Sequence, residues 1–381
     1  MGSIVSIWIG GRGDPRRRRV GVAVSTLTAR SITLWQNGAM PRPLVYVLVV
    51  CLSMSPAVAA ERDVLAQQLR AGVAIGGFPN WAERVIQEWI NRARVDPQAA
   101  LAGCAGCLER ACYAPMPPLY WDPSLNRAAR FHSDEQTKQS YFAHDSHCAV
   151  VSNIDQLYPV GCDGAASCAC VGGSLSCGSI GCTPWNARVG LFGTSPTGEI
   201  MAIPAEPNTA FNLWMNESAS SSACGFSSGA GHRVLILTSS GAIGVGASGR
   251  VAVGDFGGNG VPYRIASGSH YPQQAASVEL WANWYDASAP RSAAAVVDGQ
   301  CISMSLRLGT SKNGAWSATA TGVGNGCHRY YFSFVDADGA TVTYPATGSL
   351  GIGPCADWDT TRLQGSCASQ SAPSRHRTVR H

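Results

Sequence analysis

A chain of 381 residues, 45% hydrophobic and 14% charged, is long enough for two packed cores and too apolar to be a disordered polymer. Its formal charge of +4 is set by its ends: residues 61–367 hold 18 basic against 23 acidic residues, a net of −5. That sign excludes a nucleic-acid binder, which needs a basic face. Lys occurs twice against 26 Arg, which points to a GC-rich bacterial source.

Residues 1–39 carry no folding pattern, and Met40 is the expected start. From Met40, Arg42 precedes an apolar run from Leu44 to Met54 and a small-residue end at Ala57-Val58-Ala59. This predicts a secretory signal peptide over 40–60, too short for a membrane span. Cys51 follows Val50, too large a neighbour for a good acylation box. Residues 79–97 predict a helix, with Trp81, Val85, Ile86, Trp89, Ile90 and Ala93 on one stripe and Pro97 as the stop. A second helix is predicted from Asp122 as N-cap and Pro123 at the first helical position, with Leu125, Ala128, Ala129, His132 and Gln136 sharing a face. Residues 147–185 are rich in Cys, Gly and Ser and read as an inserted, disulfide-tied loop. A short helix is expected near 208–217, and 232–256 reads as three strands with turns at Ser240-Gly241 and Ser248-Gly249. Helices first and antiparallel strands after them predict an α+β unit.

Beyond residue 258 short alternating segments are divided by Gly, Asp and Asn turns, predicting an all-β, Ig-like sandwich over 260–367. The tail 368–381 reads as disordered. Without Cys51 there are 14 cysteines, an even number that predicts disulfides in an oxidising compartment. Their pairing is open. Cys301, Cys327, Cys355 and Cys367 suffice for two bridges in the sandwich, and zinc clusters at Cys104/Cys107/Cys112 or Cys168–Cys182 are disfavoured by secretion.

Four pieces stand in order: "YFAHDS" with His144, "TGEIMA" with Glu199, "WMNES" with Glu217 and "GAGHRVLIL" with His232. With "INRARVDPQAA", "PPLYWDPSLNRAARFHSDE", "ARVGLFG" and "AIGVGAS", they resemble the CAP superfamily, the cysteine-rich secretory, antigen 5 and pathogenesis-related 1 proteins, in its bacterial SCP-like form, over 79–254. The resemblance implies an α-β-α sandwich with a cleft lined by His144, Glu199, Glu217 and His232. It departs from the family at Ile200, where Asn is usual. It departs also in the 55-residue gap from His144 to Glu199 and the enlarged stretch between Glu217 and His232.

The chemistry of such a tetrad is plain. Two neutral imidazoles, His144 and His232, can hold Zn²⁺ or a similar ion, with a Glu orienting each ring or taking a proton from bound water. The same residues can instead form a purely structural hydrogen-bond network. His132, on the packed face of its helix, is expected to be structural. Ser227 in "GFSSG" lacks the strand–turn–helix setting of a nucleophile elbow, since a strand is expected after it. Trp281, Trp284 and Tyr285 read as packing rather than a sugar platform. The resemblance therefore implies a secreted binding module for an apolar small molecule, a lipid, a partner protein or a cell-surface component, without a transmembrane segment. A metal-assisted hydrolase or protease and a structural surface protein are the alternatives, and binding is favoured over turnover.

Overall fold

The computed structural model describes residues 79–365 and 367, except 148, 160–181, 220, 226, 228, 259–261 and 366. The predicted start, the signal peptide with Cys51, the middle of the Cys-rich insertion and the tail lie outside the described residues.

Asn80 opens α1 (Trp81–Val95): its side chain accepts from the Glu83 amide while Glu83 accepts from the Asn80 amide, closing a capping box. After α2 (Pro97–Ala100) and a short 3₁₀ turn (Arg110–Cys112) the chain makes β1 (Tyr120–Trp121). Asp122 then caps α3 (Pro123–Gln139), accepting from Ser124 and Leu125 with Pro123 in the first turn, as its sequence predicts. Two short helices, α4 (Ile154–Leu157) and α5 (Trp185–Gly190), lead to β2 (Pro196–Ala202). α6 (Pro207–Met215) is capped by Glu206. The segment 232–238, expected as a strand, is helix α7 (Gly231–Thr238). Its Val/Leu/Ile run favours a strand locally, but the Glu217 carboxylate accepts from the His232 and Arg233 amides at 3.1 and 3.4 Å and so caps this helix from 15 residues away. β3 (Ala242–Ser248) and β4 (Val251–Gly257) follow as an antiparallel pair.

The sheet order is β1-β3-β4-β2, with β1 parallel to β3. Alternation along its strands feeds two cores. Ile200, Ala202, Ile243, Val245, Ala252 and Phe256 pack with α1, α6 and α7. Met201, Val251 and Val253 meet Ala129 of α3, and Phe131 of α3 packs with Val189 and Phe192 from α5 and its end. The layers are therefore α-β-α. The contact of α3 with β3 is so close that a Cβ on Gly244 would lie 2.0 Å from the Asn126 amide nitrogen, and one on Gly246 would lie 2.3 Å from the Ala129 carbonyl carbon.

The remaining strands are β5 (Ile265–Tyr271), β6 (Ser277–Tyr285), β7 (Ser292–Val297), β8 (Gln300–Ser303), β9 (Ser305–Gly309), β10 (Asn313–Thr321), β11 (His328–Val335), β12 (Thr341–Tyr344), β13 (Ser349–Ile352) and β14 (Trp358–Asp359). They form two antiparallel sheets, β5-β6-β10-β9 and β14-β13-β11-β7-β8 with β12 on β11. The sheets enclose a common core that includes Leu280, Trp284, Ala295, Tyr330, Phe332 and Phe334. Trp281 lies on the other face, where Arg92 of α1 stacks between Trp89 and Trp281 at 3.9 and 4.7 Å. Both tryptophans of "ELWANWYDA" are thus spent on packing, as expected.

Among the described residues the disulfides are Cys104–Cys107, Cys112–Cys224, Cys301–Cys367 and Cys327–Cys355; Cys182 is disulfide-bonded as well. The last four cysteines of the chain do make two bridges.

Candidate functional site: two histidine–glutamate pairs beside an apolar cleft

His144 stands in the loop that leaves α3. Ser140 ends that helix in the left-handed conformation, and the Gln136 side chain accepts from the Ala143 amide at 3.1 Å. Beneath the loop, buried His132 spans from Glu135 (2.5 Å) to the Ala143 carbonyl (2.9 Å), while the Ser146 hydroxyl donates to the other Glu135 oxygen. Tyr141 and His147 stack at 4.0 Å. His132 is thus a structural residue whose work is to fix the backbone that carries His144.

The His144 ring meets Glu199 of β2 through Nδ1 at 2.8 Å. Its side chain is 46% exposed and that of Glu199 only 1%. Arg188 of α5, fully buried, grips the second Glu199 oxygen and donates to the His144 carbonyl at 2.8 Å. Opposite Glu199 in the β2–β4 register is Asp255, also fully buried. Burial works to raise the Glu199 pKa, but the Arg188 charge, with His132 and the bond to His144, outweighs it and holds the carboxyl below its usual range. Asp255 goes the other way: burial first, then the Glu199 charge, holds its pKa well above the usual range.

His232 opens α7. Its Nδ1 meets Glu217 at 2.7 Å, and the two side chains are 30% and 20% exposed. Glu217 thus serves both the ring and the helix end. Its backbone is tied down by Arg233, which donates to the Met215 and Glu217 carbonyls, both at 2.7 Å, and pairs with buried Glu109.

The structure therefore holds the four residues as two pairs, His144–Glu199 and His232–Glu217. In each, Nδ1 is engaged by a carboxylate and Nε2 carries no hydrogen bond among the described residues. Among the described residues no group of three or more His, Cys, Asp or Glu is gathered closely enough to hold a metal ion. A cleft of about 350 Å³ opens at the second pair, walled by Phe142, Met201, Leu213 and Trp214 and ending on Glu217 and His232. Its rim is apolar: Phe142 and Leu213 are each 49% exposed and Ile203 is 36% exposed. Ile200, where the family usually has Asn, points into the core and is fully buried.

Arg188, Asp255 and Glu109 are the site residues that sequence reasoning missed. Arg188 lies inside the quoted "ARVGLFG", and an Arg five residues before a turn gave no sign of its burial. Ser227 is followed by a helix, not the expected strand, but the segment before it, after α6, forms no strand among its described residues, so an elbow is still missing.

With this geometry in place the relationship is direct. Residues 87–255 match the family model CAP, the cysteine-rich secretory protein family, so this part of the chain is a CAP domain. No curated protein and no solved structure matches the chain. No helix among the described residues is long and apolar enough to cross a membrane.

Proposed function

We propose that the chain acts outside the cell as a binding module whose cleft takes the apolar part of a small molecule. One observation carries this reading: an apolar-rimmed cleft of about 350 Å³ that ends on the Glu217–His232 pair. That volume lies within the usual range for small-molecule sites, and exposed Phe142, Leu213 and Ile203 are apolar surface that gains by being covered. His232 and Glu217 supply the polar end that orients a ligand. The predicted signal peptide and the disulfides support an extracellular setting, and the Ig-like reading of the β-sandwich suits a spacer or adhesion module.

A second reading adds a divalent ion. Each ring gives Nδ1 to a carboxylate, the arrangement that fixes the tautomer and leaves Nε2 as donor for a metal such as Zn²⁺. His144 and His232 would hold it, two imidazoles with water completing the shell. Such an ion would polarise an oxygen of the bound molecule. Glu217 is engaged by His232 and by two helix amides, which disfavours its use as a base for turnover.

The test is binding of a fluorescent fatty-acyl probe to the purified chain and to Leu213→Glu and Phe142→Ser. Saturable binding weakened at least about tenfold by either change supports the cleft. Unchanged binding, or none, refutes it.

A further inference from the structure

The CAGC turn, residues 104–107, belongs to neither His–Glu pair. Cys104 and Cys107 are bonded across a sequence separation of three. The stabilisation that a cross-link gives through the unfolded chain grows with the loop it closes. Cys112–Cys224 and Cys301–Cys367 span 112 and 66 residues and are the stronger ties; the bond inside the CAGC turn, with a sequence separation of 3, restrains the unfolded chain less than half as much. The turn does not need it for its shape either. The Cys104 amide donates to Leu101 at 3.0 Å, Cys107 to Cys104 at 3.3 Å, and the Gly106 carbonyl accepts from Ala219 at 2.9 Å. A side chain on Gly106 would meet the Ser218 hydroxyl at 2.7 Å, so the turn is seated tightly on the chain beyond Glu217. The sulfurs would stay adjacent with the bond open.

The surroundings suit chemistry at sulfur. A groove of about 370 Å³ opens over the turn, and both cysteines, Cys104 and Cys107, line it together with Gly103, Ala105, Leu108 and Arg110. Cys104 is half-buried, flanked by small exposed residues that leave a path to its sulfur. The Arg110 guanidinium in the same groove favours an approaching thiolate. Cys107 is buried, its Sγ 3.6 Å from the Met215 carbonyl oxygen, an acceptor already in place for a thiol.

We propose that Cys104–Cys107 is a thiol–disulfide exchange site that accepts electrons from a dithiol, with Cys104 as the sulfur attacked. A thiolate of the dithiol forms a bond to Cys104 Sγ. The Cys104–Cys107 bond breaks, its electron pair goes to Cys107 Sγ, and that sulfur takes a proton from solvent and donates to Met215. The second thiolate of the dithiol then attacks its own sulfur in the mixed disulfide and releases Cys104 as thiolate. The dithiol is oxidised by two electrons to a disulfide, and the Cys104–Cys107 bond is reduced to two thiols.

The experiment equilibrates the full chain, prepared under oxidising conditions, in graded reduced-to-oxidised dithiothreitol mixtures, then alkylates it and maps the peptides by mass. Cys104 and Cys107 should label together at a ratio about tenfold or more below that needed for Cys112–Cys224 and Cys301–Cys367, with circular dichroism unchanged. Cys107→Ser should capture glutathione at Cys104 from oxidised glutathione. Reduction of Cys104–Cys107 only together with the long-range bridges overturns the proposal, as does a folded Cys107→Ser that forms no adduct. If that variant does not fold, the titration of the unaltered chain decides alone.

Discussion

Glu199 on β2 and Asp255 on β4 face each other across the sheet, both buried, and their carboxyls are driven apart, Glu199 below its usual pKa range and Asp255 well above it. Arg188 makes the difference, because it holds Glu199 while Asp255 has no hydrogen bond to a cation among the described residues. The exposed His144 ring thus rests on a charge pair that solvent does not reach.

The two carboxyls should respond differently to neutralisation. Glu199→Gln leaves buried Arg188 without its anion and should cost about 3 kcal/mol or more. Asp255→Asn replaces a group whose neutral form the site favours and should change stability by no more than about 1 kcal/mol at acid pH. Asp255 keeps its proton in the folded state to a higher pH than in the unfolded chain. Its contribution is therefore complete below the unfolded pKa near 3.8 and is lost as pH rises. Asp255→Asn should accordingly gain on the unaltered protein as pH rises, in urea unfolding read at several pH values. Equal costs for the two variants would contradict the assignment.

Glu88 on α1 gives a second pH signature. Burial raises its pKa to about 7, against the opposing hydrogen bonds from Ser267 and Asn283 and the charge of Arg92. The folded state binds this proton more tightly than the unfolded chain, so Glu88 stabilises below pH 4.5 and that stability fades as pH rises through about 7. Glu88→Gln should remove the trend, with a slope of up to about 1.4 kcal/mol per pH unit between the two values. His270, driven by burial to about 3, acts oppositely: its contribution is present above pH 6.5 and is lost toward acid. Only the difference between variant and unaltered protein isolates Glu88. A difference in Tm that is flat from pH 4.5 to 7.5 would refute it.

Much of the framework was legible in the sequence because its signals are local. The stripe of α1 and the Asp122-Pro123 start of α3 need only neighbours within a turn. What stayed hidden depends on distant partners. The run Val234–Leu237 reads as strand until Glu217 caps it. Arg188 has no local signal of burial in the sequence, since Glu199 and the His144 carbonyl that surround it come from elsewhere in the chain. Cys112 gives no hint of Cys224, since pairing over 112 residues is set by the fold. The CAP resemblance singled out His144, Glu199, Glu217 and His232, but not their division into two pairs, of which only Glu217 and His232 line the cleft, because pairing at Nδ1 depends on β2 and on the start of α7.

Packing of α3 on β3 offers a test by glycine substitution. Gly244→Ala would force a methyl into the α3 backbone at 2.0 Å and should destabilise by about 2–3 kcal/mol. Gly190, at the end of α5, has nothing within 4 Å of its built Cβ, so Gly190→Ala should be neutral or stabilising by up to about 1 kcal/mol. Chemical denaturation midpoints compare the two directly; similar losses would mean that the α3–β3 approach is looser than described.

The ion reading is tested by isothermal titration with zinc. Heat of binding should be seen for the unaltered chain and be lost in both His144→Ala and His232→Ala, with the fold retained by circular dichroism. Binding kept in both variants would place any zinc elsewhere.

The most direct measurement is native mass spectrometry of the purified chain, before and after denaturation. The cleft account predicts an excess mass of small-molecule size that is released on denaturation, extracts into organic solvent and disappears in Leu213→Glu, while His144→Ala retains it. A bare mass that stays bare after incubation with fatty acids would contradict the binding reading and leave the two His–Glu pairs as a structural network.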